Sequence, residues 1–488
     1  MLAFIIGFLS LFTHAGHSDH ANAVAADSLK RPLKARQIPI DTTRKFVQVR
    51  RIFLIGNRIT RDQIILRELS LKPGDIIYSA DLAGILDLDK KKLINTRLFN
   101  TVEIKILELD AKNIDLVIDL NERWYTFPSP IFELADRNFN EWWQNYGHDF
   151  RRVNYGLRLY QYNMRGRNET LRLHAQFGFQ RKFELLYRFP YIDKKQKHGL
   201  SLDLGYLETK NLAARTLDHK YIYSKSDYIL KSDRVAGLTY SYRKSFYKTH
   251  SAKVEYRKTH IADTVKSINP IFIKGDGTHE LEYTSFNYQF NADHRDFFAY
   301  PLKGFQFAVD FRKTGLLPND DVNKWEGSIL YSRYLDLKRE YYLSNNTVLY
   351  ASTPDDLSYV NFSALGLRKQ FVRGYEIYVI EGPMYALNKT TLKKKIFSNT
   401  YHWADMPIDQ FRHIPIAIYL KTYFDVGVVD NYPDYEQLGI NTQLSDKLIA
   451  GGGFGFDIVG SYDIVLRLEY SFNVEGGNGF FFHLKKEF

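Results

Sequence analysis

Along most of this chain apolar and polar residues take turns, and that period of two constrains the fold more than any other feature. In TLRLHAQFGF, Leu171, Leu173, Ala175, Phe177 and Phe179 share one face, and Arg172, His174 and Gln176 share the other. GFQFAVDF sets Phe305, Phe307, Val309 and Phe311 against Gln306 and Asp310. IAIYLKTYFDVGVV sets Ile416, Ile418, Leu420, Phe424, Val426 and Val428 against Tyr419, Lys421, Tyr423 and Asp425. Alternation with one polar face describes half-buried strands.

A soluble sandwich also alternates, but its turns are short at both ends. Here brief connections (PYIDKKQKHG, KSFYKTH, LDLKRE, GSYD) take turns with long ones around 209–232, 261–279, 352–389 and 429–446. One short rim and one long rim is the pattern of a transmembrane β-barrel, and the runs number about sixteen, an even count as such barrels require. About ten residues per strand suits a tilted crossing. The first and last strands are expected near 128–138 and 479–488, and the barrel over 124–488. The 35 Tyr and 35 Phe exceed what a soluble core needs. Mean hydropathy is −0.35, and beyond the first residues nothing reads as a membrane helix. The net charge of +11 is dispersed, without a basic arm or nucleic-acid motif. It suits anionic lipid or lipopolysaccharide headgroups rather than nucleic acid. With no cysteine, disulfide and thiol chemistry are excluded.

The chain starts MLAFIIGFLSLF, too short to span a bilayer and followed by the small residues of HANAVAADS. That is the shape of a secretory signal over residues 1–25, cleaved after Ala23 or Ala25, with a linker over 26–43. His14, His17, Asp19 and His20 fall in the discarded segment, so no metal site is assigned.

Residues 44–123 read as one compact α+β module of order β-α-α-β-β. KFVQVRRIFLIGN is a strand ending in the Gly56-Asn57 turn pair. Thr60 and Gln63 have the spacing of a capping box for TRDQIILREL. KPGD (Lys72 to Asp75) breaks that helix, and a second covers about Ser79 to Leu98. Strands TVEIKILEL and NIDLVIDLNER follow, turning at Asp110 to Asn113. Carried by IFLIGNRIT, IILREL, KPGD, LINTRLFNTVEI and VIDLNERW, the module resembles a POTRA domain. The resemblance implies binding of extended polypeptide by strand addition to a sheet edge. ERWYTFPSP, with its prolines, reads as the linker to the barrel.

The last strand, NGFFFHLKKEF, places Phe480, Phe482, Leu484 and Phe488 on one face, with Lys486 interrupting it. It resembles the C-terminal signal by which outer-membrane barrels are recognised. KQFVRGYE, in the long connection between the eleventh and twelfth strands, carries Val372, Arg373, Gly374 and Tyr375. With the POTRA module and the barrel, this tip resembles the POTRA-plus-barrel outer-membrane assembly family (BamA/TamA-like, bacterial surface antigen superfamily). HRDFFAYPLKG adds a turn signature in Arg295, Asp296, Pro301 and Gly304. In that family the loop folds into the lumen and its arginine meets an acidic residue on the wall.

A guanidinium inside a barrel needs acceptors. Asp425 stands where the family carries its acidic partner, and Asp457 in GGGFGFDIV is a second inward carboxylate and the weaker candidate. Gly374 permits a sharp turn, and Tyr375 can stack or donate. One departure is plain: where the family often places a glutamate on the twelfth strand, LNKTTLKKKIF has Thr391 among Lys389, Lys393, Lys394 and Lys395. Glu376 or Glu381 is the expected substitute.

No catalytic constellation emerges. GGGFGFD opens no helix, so its glycines do not read as a phosphate cradle, and no G-x-S-x-G occurs. The reading is a non-enzymatic factor without cofactor, in the outer membrane of a Gram-negative bacterium with its POTRA domain in the periplasm. The function implied is assembly or insertion of outer-membrane proteins by β-strand addition, accessory or client-specific because one POTRA domain is present. A polypeptide translocator of the two-partner-secretion type and a passive structural barrel are the alternatives. The partners implied are unfolded outer-membrane or secreted polypeptides, outer-membrane lipid and lipopolysaccharide, and periplasmic accessory proteins.

Overall fold

A computed structural model describes residues 46–110, 112–134, 150, 153–274, 278–366, 370–403 and 405–485. The signal segment and its histidines, the linker over 26–43, and Lys486 and Phe488 lie outside the described residues.

The small domain runs β1 (Phe46–Ile55), α1 (Asp62–Leu66), β2 (Ile76–Tyr78), α2 (Ser79–Asn95), β3 (Phe99–Glu108) and β4 (Asn113–Glu122). Its sheet order is β2-β1-β4-β3, with β1 parallel to β4 and β3 antiparallel to it. A parallel pair needs a long crossover, and the two helices supply it while covering one face. Ile65, Leu93, Phe99 and Ile118 form the buried centre. Two details differ from expectation. A three-residue strand, β2, pairs with the start of β1. And α2 stops at Asn95, because Arg97 adopts φ 63 and the Thr96 hydroxyl donates back to the Leu93 carbonyl at 2.5 Å.

Thr60 does not cap α1, whose N-cap is Arg61 with no side-chain cap bond. The amides of Ile59 and Thr60 are taken by the Glu122 carboxylate, at 3.0 and 2.6 Å. That frees the Thr60 hydroxyl to bond the Tyr125 hydroxyl at 3.1 Å and to accept from Asn163 Nδ2 at 2.8 Å. The residue expected to start a helix instead joins the domain to the barrel.

The barrel begins with β5 (Thr126–Leu134), β6 (Val153–Met164), β7 (Glu169–Gly178), β8 (Lys182–Phe189) and β9 (His198–Thr209). A hairpin of β10 (Asn211–Leu217) and β11 (Lys220–Lys225) rises from the far rim. The wall continues through β12 (Lys231–Arg243), β13 (Lys248–Ile261), the short helix α3 (Asp263–Ile268), β14 (Glu280–Asp293), β15 (Gly304–Thr314), β16 (Lys324–Asp336) and β17 (Tyr341–Thr353). The long connection 354–383 holds the two-residue pair β18 (Ala364–Leu365) and β19 (Ile380–Glu381). Then come β20 (Met384–His402), β21 (His413–Val429), α4 (Pro433–Leu438), β22 (Leu448–Val459), β23 (Val465–Asn473) and β24 (Asn478–Lys485). Wall strands pair with their neighbours in one sixteen-stranded antiparallel sheet from β5 to β24. Among the described residues no helix is long and apolar enough to cross a membrane. Phe424, Phe454, Phe480 and Phe482 stand exposed on the outer wall, as a lipid-facing surface requires. Phe179, just past β7, is buried instead.

TFPSP is not a linker but the first half of β5, in which Pro128 pairs with Leu159 and Pro130 with Leu157. An edge strand tolerates proline where the missing N–H would face away from its partner. Two prolines two residues apart therefore strip two donors from the same edge, the one turned away from β6. Among the described residues no ladder joins that edge to β24.

The small domain sits against the short-turn rim. Arg243 forks onto Glu68 at 2.7 and 2.8 Å, and Arg123 onto Asp463 at 3.0 and 3.2 Å. Asn95 donates to the Asp296 carbonyl at 2.8 Å and accepts from the Phe298 amide at 3.1 Å. Asn100 donates to the Gln410 carbonyl at 2.9 Å. The HRDFFAYPLKG turn is thus a docking point. Within it Arg295 pairs with Asp293 at 2.5 Å, and Gly304 turns at φ 101.

Candidate functional site

The connection 354–383 folds back against the inner wall. Leu365, Val372, Tyr375 and Ile380 pack on Val348, Leu387, Val429 and Ile449 of the strands around them. Apolar packing delivers the tip, and hydrogen bonds then fix it. Gly374 has φ 95, and a Cβ there would stand 2.8 Å from the Phe472 carbonyl oxygen. Gly451 on β22 is needed for its size, since a Cβ on it would fall 1.9 Å from the Arg373 carbonyl oxygen. Gly451 makes room for the tip, and Gly453, where a Cβ would stand 2.6 Å from the Tyr423 hydroxyl, makes room for the ring beneath Arg373.

Arg373 is buried and meets Asp425 through three donors. Nε reaches Oδ2 at 2.8 Å, Nη2 reaches Oδ1 at 2.6 Å, and the backbone N–H reaches Oδ2 at 3.1 Å. Its guanidinium carbon lies 3.8 Å from the centre of the Tyr423 ring, a cation–π contact. Nη2 also donates to the Thr391 hydroxyl at 2.9 Å, and Nη1 lies 3.5 Å from Glu469 on β23. The carboxylate missing from the twelfth strand is therefore supplied from the fifteenth, and Thr391 serves as a neutral acceptor. Neither expected substitute does this. Glu376 accepts from the Gly374 amide at 2.7 Å, and Glu381 is hydrogen-bonded by Tyr435.

Asp457 does not meet Arg373. It accepts from Lys421 and, at 2.8 Å, from the hydroxyl of Tyr300, which the β14–β15 turn sends into the lumen. Lys421 also reaches Glu469 at 2.8 Å, so the two carboxylates and two cations form one chain along the inner wall. Lys389 donates to the Phe371 carbonyl at 2.9 Å and holds the tip from the other side. Tyr375 is buried with its ring 5.9 Å from that of Tyr378. Glu469, Lys421 and Tyr423 were not singled out in the sequence. Their inward parity on alternating strands was the available signal, but parity cannot say which strand lies across the lumen from a loop. Of the C-terminal group, Phe480 and Phe482 face outward on β24, Leu484 lies one residue before that strand's end, and Phe488 lies outside the described residues.

Among the described residues no cluster of metal-ligating side chains occurs. What the arrangement does is mechanical: it anchors a loop inside a barrel through a compensated, buried charge network.

Residues 163–404 match the Omp85 superfamily domain, and residues 47–123 match the POTRA domain described as a surface antigen variable number repeat. A stretch of 113 residues is 26% identical to the outer membrane protein assembly factor BamA of Nitratidesulfovibrio vulgaris (strain Hildenborough). That match takes in 22% of this chain and only 14% of the relative's length. Among solved structures, CdiB from Escherichia coli aligns at TM-score 0.53 and 13% identity, over 90% of this chain and 75% of that one. BamA from Haemophilus ducreyi lacking POTRA domains 1–3 aligns at TM-score 0.49 and 14% identity, over 89% and 84%. At such identities the likeness to CdiB is one of fold. With a POTRA domain leading into an Omp85 barrel, the chain belongs to the Omp85 superfamily.

Proposed function

We propose that this chain is an outer-membrane protein assembly or insertion factor that works by β-strand addition, with an accessory or client-specific role, in a Gram-negative bacterium. Members of the superfamily are outer-membrane proteins with periplasmic POTRA domains, which makes the short-turn rim the periplasmic one. The observation that carries the reading is the edge of β5, short of two donors and, among the described residues, without a ladder to β24. A seam built this way opens at low cost; the prolines blunt pairing at their two positions, and the backbone acceptors that remain along the edge are what an incoming strand can use. The edge of β3 in the POTRA sheet is a second place for an extended client. The loop anchored by Arg373 and Asp425 acts as a lock that occupies the lumen while the seam works. On this reading the clients are unfolded outer-membrane polypeptides.

The test is insertion of an unfolded reporter barrel into liposomes containing the purified protein, with Arg373→Ala and a POTRA deletion alongside. Acceleration by the wild type, lost in both variants, is expected. No acceleration by the wild type, together with a large conductance in planar bilayers, would replace this reading with polypeptide translocation.

A further inference from the structure

At the periplasmic mouth, between the POTRA domain and the inner wall, lies a cavity of about 130 Å³. Its lining carries four guanidinium groups, those of Arg97, Arg123, Arg172 and Arg188. Arg97 and Arg123 share one carboxylate, Asp463, at 3.4 and 3.0 Å. Among the described residues no carboxylate lies within ion-pair distance of Arg172 or Arg188, so positive charge is in surplus there. The register pairs Thr170 with Arg188 and Arg172 with Leu186, which makes the two arginines diagonal neighbours on one lumenal face. Like charges so placed repel. Both are open to the water of the lumen, so the arrangement survives without a partner but is improved by one. Phe127 and Tyr162 add aromatic surface, their rings 6.1 Å apart.

We propose that this cavity receives the carboxylate of an acidic, aromatic-bearing segment of client polypeptide as it reaches the seam. The inference rests on the strand-addition reading above. Guanidinium forks match carboxylate oxygens two at a time. The ring-lined floor takes a neighbouring aromatic side chain. Phe127 belongs to β5, the strand with the unladdered edge, so a client strand laid along that edge ends beside the arginines. A phospholipid phosphate presents the same oxygens, but it would have to leave the bilayer and enter the lumen to reach them.

The test uses the full chain in detergent micelles and fluorescence anisotropy of a labelled, amidated peptide alternating Asp and Phe, with an Asn-for-Asp twin as the neutral probe. The wild type should prefer the acidic peptide by at least about tenfold, the worth of a charge-assisted hydrogen bond. Arg172→Gln with Arg188→Gln should erase that preference, whereas Lys91→Gln, a surface change on α2, should leave it intact. Retention of the heat-modifiable band on unheated gels verifies that the double variant is folded, and Arg188→Lys, which keeps the charge without the fork, should give an intermediate loss. Three results overturn the proposal: no preference in the wild type, a preference that persists in the double variant, or displacement of the peptide by short-chain phosphatidylglycerol that itself requires the two arginines. Reporter insertion by the same purified protein reconstituted in liposomes separates the two claims. Acceleration without peptide preference removes the cavity's role alone, and preference without acceleration removes the insertase reading while the cavity stands.

Discussion

The lumen contains two arginine sites built on opposite terms. Arg373 is buried among Asp425, Glu469, Thr391 and the face of Tyr423, with a partner in every direction. Arg172 and Arg188 stand wet at the periplasmic mouth with no carboxylate in reach among the described residues. A cation buried without partners would cost several kcal/mol, so full compensation at the tip is a condition of burying it at all. A cation left in water costs little and keeps its hydrogen-bonding capacity for something that arrives later. The first arrangement holds a loop in place. The second is what a binding surface looks like before its ligand.

Breaking the compensated site should have the largest effect. Arg373→Ala leaves Asp425 buried without its fork, and removing one partner of such a pair typically costs ~3–5 kcal/mol. Urea titrations followed by the heat-modifiable band should show that loss, and proteolysis should begin within 354–383. Arg373→Lys should recover only part of it, because an ammonium cannot span both carboxylate oxygens. If Arg373→Ala unfolds at the wild-type urea concentration, the tip is not a lock.

A carboxylate with no cation tests the same rule with the sign reversed. Glu381 sits in the far-rim loops, outside the spanning strands, buried and, among the described residues, held by hydroxyls such as that of Tyr435. Burial pushes its carboxyl up from 4.5 to about 7. An acid whose pKa is raised by folding binds its proton more tightly folded than unfolded. The loop cap should therefore be most stable below pH 4.5, lose stability as pH rises toward 7, and level off above. The full excursion is at most about 3 kcal/mol at 1.36 kcal/mol per pKa unit. Hydrogen exchange in 354–383 and 430–447 should be faster at pH 8 than at pH 5, and Glu381→Gln should flatten the dependence. A Gln variant that keeps the wild-type pH profile would assign the effect elsewhere.

The barrel was legible because period two, alternating loop lengths and a terminal aromatic strand all follow from lying in lipid, and each leaves a mark in one dimension. Asp425 was legible through resemblance. The misreadings share a cause. Thr60 had the spacing of a cap, and Pro128 and Pro130 had the look of a linker. Both were redirected by contacts made across the fold, to Tyr125 and Asn163 in one case and to β6 in the other. Glu469 lies 96 positions beyond Arg373, and only the infolding of the loop against β21 and its neighbours brings the two to 3.5 Å. The paired misplacement of Asp457, which belongs to Lys421 and Tyr300, has the same origin.

Glu469→Gln should give a smaller loss than Arg373→Ala, about 1–3 kcal/mol, since it removes one charged acceptor from Lys421 and Arg373 while Asp457 and Asp425 remain. Adding Thr391→Glu should restore much of it by returning a carboxylate to the twelfth strand beside Nη2 of Arg373. If the second change fails to rescue, Glu469 serves Lys421 alone, and the compensated site is narrower than described.

The smallest change in stability should come from the uncompensated site, and its smallness is the point. Arg172→Gln with Arg188→Gln removes two charges that repel each other and that, among the described residues, pair with no carboxylate, and exposed changes of this kind stay within about 0.5 kcal/mol. The urea midpoint should hold or rise slightly, and raising the salt should shift the wild type toward the variant, because screening weakens the same repulsion. A loss comparable to that of Arg373→Ala would mean that the two arginines are structural and that the contrast between the two sites is false. A neutral or stabilising result leaves the mouth arginines with no role in holding the barrel together, so that their placement is explained only by what they bind.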